Sequence, residues 1–162
     1  MKKKNLSSKI KSEKKSLAEI SLDKNFGNES NELITIFNSA SEGLYYISET
    51  DAEFQAFVWK TDQPVENVSA ENILKFAGEK PDAKVQEKTL DEFFKQPTEM
   101  KDWFGDEEKA QVEKYLKFKN LLATKLKNTK VFKVGEVQIN IYIVGIDSEG
   151  NLAGVKTKAV ET

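Results

Sequence analysis

The stretch "VFKVGEVQINIYIVGID", residues 131–147, changes the period of the chain and decides its fold. Val137, Ile139, Ile141 and Ile143 fall on one side of an extended chain, with Gln138, Asn140, Tyr142 and Val144 on the other, which is the two-residue repeat of a strand. "DSEGN", residues 147–151, has the composition of a turn, and "LAGVKTKAV", residues 152–160, returns as an antiparallel partner. Such a hairpin needs a cover for its apolar face. Upstream, Val112, Tyr115, Leu116, Phe118, Leu122 and Leu126 predict a long packing helix from about Glu107 to Asn128. Leu33, Ile34, Phe37, Ala40 and Leu44 recur at helical spacing behind Ser30 as N-cap. Between them, "AEFQAFVWK" (52–60) reads as a strand covered on both faces. "SAENILKFAG" (69–78) reads as a helix capped by Ser69 and closed by Gly78. A strand near "AKVQEKTL" (83–90) and a short helix "DEFFKQ" (91–96), ended by Pro97, complete the pattern. The expected class is α+β, with a largely antiparallel sheet covered by helices.

Composition narrows the chemistry. A chain of 162 residues, 38% hydrophobic and 32% charged, suffices for one core. It holds no cysteine and no histidine, which removes thiolate chemistry, cysteine-based zinc sites and the commonest general base. Catalysis by paired carboxylates remains chemically open, but no such pair can be placed. No glycine-rich phosphate loop and no nucleophile elbow occur. All 25 basic residues are lysine, so the planar fork that reads guanine or phosphate in two bonds is absent.

Charge divides the chain unevenly. Residues 1–28 carry eight lysines against three acids, net +5, and residues 29–162 carry 17 lysines against 24 acids, net −7. The first segment reads as a basic, poorly ordered extension, and the second as the folded domain. No apolar run reaches bilayer length and the basic start lacks an apolar signal core, so a cytoplasmic protein is expected.

Four local features stand out. The acids Asp102, Asp106, Glu107 and Glu108 fit a helix N-terminus, where carboxylates meet free N–H groups. Trp103 and Phe104, in the loop before the long helix, either pin that loop to the core or protrude as an interface anchor. Glu49 lies in a loop in "YISETDAEF", where a solvated acid is the ordinary reading, and Thr162 ends the sequence with a hydroxyl beside a carboxylate, either a frayed end or a compact set of hard oxygen ligands.

"ASEGLYYISETDAEFQAFVWK" (40–60), "DEFFKQPTEMKDWFGDEEKA" (91–110), "VFKVGEVQINIYIVG" (131–145) and "GNLAGVKTKAVET" (150–162) together resemble the nuclease A inhibitor family, in order and spacing, over about residues 31–162. The resemblance implies a three-layer α/β/α sandwich and an inhibitor, not an enzyme. It implies a one-to-one protein partner, a sugar-non-specific endonuclease of the ββα-metal type that carries Mg²⁺, with no cofactor on the inhibitor itself. By position it implies partner contacts at Thr162 near the metal, at Glu49 beside it, and at Trp103 as an apolar anchor, with Glu161 in the "VET" ending. Lys101 departs from the family pattern, which implies glutamine there, and places a cation opposite a basic groove. The basic extension has no counterpart in the family, which leaves open a binding module of the same fold that uses this arm on protein or nucleic acid. No membrane partner is expected.

Overall fold

The computed structural model describes residues 28–162, so the reading of the basic extension lies outside the described residues except at Asn28, which begins the first helix. Along the chain run α1 (Asn28–Ser41), β1 (Tyr45–Ile47), β2 (Asp51–Glu53), β3 (Gln55–Trp59), α2 (Ala70–Ala77), β4 (Val85–Thr89), α3 (Leu90–Phe94), α4 (Asp106–Lys125), β5 (Lys127–Val134), β6 (Gln138–Ile146) and β7 (Leu152–Val160). The hairpin legible in the sequence is the centre of the molecule. β6 and β7 pair from Gln138↔Val160 to Ile146↔Leu152 in unbroken antiparallel register. The turn between them is closed by Asp147, whose Oδ1 accepts from the amides of Glu149 and Asn151, each at 2.9 Å, a side-chain turn that "DSEGN" is built to make. β3 joins β7 and β5 joins β6, and β4 completes a five-stranded sheet in the order β3-β7-β6-β5-β4, with every pair antiparallel.

The two-residue period then sorts the core. On one face Val131, Ile139, Ile141, Ile143, Ala153 and Val155 pack with Phe37 of α1, Phe94 of α3, and Phe118 and Leu122 of α4. On the other, Phe57, Phe132, Tyr142, Val144 and Leu152 pack with Ile73 and Leu74 of α2. Phe37, Phe57, Phe94, Phe118 and Phe132 are wholly buried. Each is worth about 1.5–3 kcal/mol in water-excluded area. Glu79, just past α2, ties that helix down by accepting from Tyr142 Oη at 2.6 Å and Asn140 Nδ2 at 2.8 Å. Burial, then the bond to Glu79 and its charge, push the Tyr142 hydroxyl far above the usual tyrosine range.

Several boundaries differ from the sequence expectation. α1 starts at Asn28, so Ser30 lies inside the helix, buried, instead of capping it. The expected strand over 52–60 is interrupted at Phe54. Its first part, β2, pairs with β1 in a separate two-stranded ribbon, and only β3 joins the main sheet. Leu116 is 38% exposed because the packed side of α4 centres on Tyr115, Phe118 and Leu122. Val137 precedes β6 and is half exposed. α4 ends at Lys125, since Asn128 adopts a left-handed backbone at φ 55° and Lys127 already begins β5. By contrast α2 has the expected ends, with Ser69 Oγ accepting from Asn72 N and Gly78 left-handed. Among the described residues no helix is long and apolar enough to cross a membrane.

Candidate functional site

The end of β7 does not fray. Its last residues are held from both edges by segments distant in sequence. On one side, Ser48 Oγ accepts from Val160 N at 3.1 Å, and Glu49 N donates to Val160 O at 3.2 Å. On the other, Glu161 N donates to Val137 O at 2.9 Å. Ser48 is itself fixed, donating to Thr50 O at 3.0 Å and accepting from Thr50 N at 3.3 Å, so the turn from β1 to β2 is a preformed cradle.

Glu49 and Thr162, 113 residues apart, meet at this tip. Glu49 Oε2 accepts from Thr162 N at 2.8 Å and from Thr162 Oγ1 at 2.7 Å. The hydroxyl bond, then the backbone bond, hold the Glu49 carboxyl below the usual glutamate range, although the group is exposed. Both described bonds fall on Oε2, so Oε1 retains its acceptor capacity. Glu161 behaves differently. Its Oε2 pairs with Lys133 Nζ at 2.9 Å, so this carboxylate is engaged within the molecule. Ile47 at 74% exposure and Val137 at 50% flank the segment on its two sides, one from the ribbon and one from the β5–β6 turn. Neither stood out in the sequence as a surface residue, because an isolated apolar residue reads as core until its neighbours are known.

The loop before α4 is a second exposed region. Trp103 is 74% exposed and meets Phe104 edge-on, with ring centroids 4.7 Å apart. Of the two roles open in the sequence, protrusion is the one observed. Lys101 Nζ lies 3.0 Å from Glu99 Oε1, and this bond, followed by the Lys101 charge, keeps Glu99 below the usual glutamate range. The acids of the next turn serve the helix start as expected, Glu108 accepting from Gly105 N at 3.0 Å. The ribbon and this loop share a neighbour: Tyr46 of β1 stacks on Phe93 of α3 at 5.3 Å, and α3 leads into the loop. Tyr115 of α4 donates to Tyr45 O, joining the same ribbon to the helix that the loop precedes. Among the described residues, no group of three or more acidic side chains is placed to hold a metal ion.

A search of curated proteins finds no match to the chain. The family model described as nuclease A inhibitor-like protein matches residues 31–162, which span every strand, all of α2 to α4 and all but the first turn of α1. The chain therefore belongs to the nuclease A inhibitor-like family.

Proposed function

We propose that the protein inhibits a sugar-non-specific, Mg²⁺-dependent endonuclease of the ββα-metal type, one-to-one, by presenting Thr162 to the enzyme's metal site. The observation that carries this reading is the pairing of Thr162 with Glu49 on an exposed, doubly braced strand end. A loose tail would have to be ordered on binding, at about 1–2 kcal/mol per backbone residue fixed. Here that ordering is done in the free protein. Thr162 offers its hydroxyl oxygen to Mg²⁺ or its water shell, and Glu49 Oε1 adds negative charge alongside. The net −7 of residues 29–162 favours approach to a groove built for a polyanion. Trp103 supplies an apolar anchor and Ile47 and Val137 an apolar rim that excludes water from the plug.

In this reading the protein is a cytoplasmic inhibitor and not an enzyme, the metal belongs to the nuclease, and residues 29–162 form the inhibitor domain behind a basic extension. The helical residues packed on each face of the sheet support a three-layer α/β/α arrangement. The test is a titration of a Mg²⁺-dependent, sugar-non-specific nuclease on DNA. Cleavage should cease near equimolar inhibitor, and deletion of Thr162 or Glu49→Ala should weaken inhibition by roughly 100-fold, the scale of a broken charge-assisted contact in a buried interface. Undiminished inhibition by both variants overturns the proposed plug. The net +5 of residues 1–28 favours a second reading, binding of nucleic acid by the extension. A salt-sensitive gel shift that disappears when those residues are removed would support it.

A further inference from the structure

Lys133 occupies an odd place for a lysine. It is paired in register with Ile141 of β6, which pairs with Thr157 of β7, so its side chain leaves the sheet on the face of the main core, beside the wholly buried Val131 two residues earlier. Only 11% of that side chain is exposed. Its aliphatic stem covers apolar surface, but the ammonium at its end requires a partner there, because an unpaired charge shielded from water is strongly destabilising. The described partner is Glu161, the residue before Thr162.

We infer that Lys133 is a positioning residue of the inhibitory tip: its ammonium holds the Glu161 carboxylate against the sheet, fixing the backbone on which Thr162 is carried to Glu49. Three anchors then act on two consecutive residues. Glu161 is held by its amide on Val137 O and by its side chain on Lys133 Nζ, and Thr162 by Glu49. The side-chain anchor is the one on the core face, and among the described bonds it alone ties the tip to β5. Without it Glu161 can turn about its remaining amide bond, and Thr162 loses the fixed geometry that a metal-directed ligand needs.

The consequence for inhibition rests on the proposed function, whereas the ordering of Thr162 does not. The test uses the full chain with Lys133→Met, which keeps the stem, with Glu161→Gln as a second variant that leaves β5 untouched, and with the exchange Lys133→Glu/Glu161→Lys. The {1H}-15N heteronuclear NOE of the Thr162 amide, the thermal midpoint and the inhibition constant against a Mg²⁺-dependent nuclease are measured together. In both single variants the Thr162 NOE should fall toward values of a mobile terminus and inhibition should weaken roughly tenfold, the scale of a lost hydrogen bond to a charged group. The exchange should recover part of both, which a general loss of packing would not. A Thr162 amide as ordered in Lys133→Met and Glu161→Gln as in the unaltered protein overturns the inference. If the unaltered protein inhibits no such nuclease while the NOE responds as described, the proposed function fails and the positioning role of Lys133 stands.

Discussion

The tip of β7 and the loop around Trp103 are both exposed, but they are held by different means. Bonds at the tip join residues 24 to 113 positions apart, through Glu161–Val137, Lys133–Glu161, Val160–Ser48 and Thr162–Glu49. Bonds in the loop are local: Thr98 Oγ1 to Phe94 O, Lys101 to Glu99, Phe104 N to Lys101 O and Gly105 N to Glu108. Long-range bonds form only when the sheet has formed, so the geometry of the tip is tied to global stability. Local bonds survive or open independently of the sheet. Under the proposed function this difference becomes a division of labour, with rigid, oriented oxygens at the tip and an adaptable aromatic in the loop.

A matched pair of glycine substitutions should test this difference most sharply. Gly135, in the turn that carries Val137, has φ 118°, and a Cβ there would lie 2.3 Å from Gln138 O. Gly135→Ala should cost about 2–4 kcal/mol in urea unfolding and should loosen the tip with it. Gly105, at the start of α4, has an ordinary extended backbone, and its Cβ would meet only the flexible Glu108 carboxylate at 3.1 Å. Gly105→Ala should cost under about 1 kcal/mol. Equal costs would show that the tip is no more tightly bound to the fold than the loop.

Trp103→Ala separates the two regions by function. With the residue 74% exposed, removal of the ring should leave the unfolding midpoint unchanged and the Thr162 amide undisturbed. Inhibition should nonetheless weaken by about 2 kcal/mol, roughly 30-fold, as for a buried interface anchor. A fall in stability equal to the loss of inhibition would place the ring in the core and not at the interface.

How far these regions were legible in sequence follows from the range of the forces that shape them. The β6–β7 hairpin, the caps of α2 and the acidic start of α4 are set by residues within a few positions of one another, and periodicity and capping chemistry reach that far. The β1–β2 ribbon escaped because three residues per strand give too short an alternation, and the break at Phe54 escaped because both halves of 52–60 alternate alike. The two ion-bearing contacts of the tip join Glu49 to Thr162 and Lys133 to Glu161, and no local pattern relates such residues. Glu49 and Thr162 take their roles from the family resemblance, whereas nothing in the sequence sets Lys133 apart from the other lysines. Its role depends on which face of β5 the pairing with Ile141 selects.

The smallest effect sharpens the comparison electrostatically, because Glu49 and Glu99 are both held below the usual glutamate range for different reasons. Two neutral donors, the hydroxyl and amide of Thr162, lower Glu49, while a bond from the charged Lys101 and then its field lower Glu99. Both folded-state values are depressed, so each contact is fully made above the unfolded glutamate value and is lost as pH falls through the folded one. Carboxyl 13C shifts and the Thr162 amide 15N shift, followed together through an acid titration, should therefore move in step at Glu49 and Thr162, below the midpoint of an ordinary glutamate. Salt then distinguishes them. Raising ionic strength from 0.01 M to 1 M shortens the screening length from about 30 Å to about 3 Å, which weakens a Coulombic contribution at an exposed site and leaves a hydrogen bond from a neutral donor nearly untouched. The Glu99 midpoint should climb toward normal while Glu49 holds. If Glu49 climbs as much, charge and not the Thr162 bonds sets its value, and the tip is an electrostatic contact like the loop.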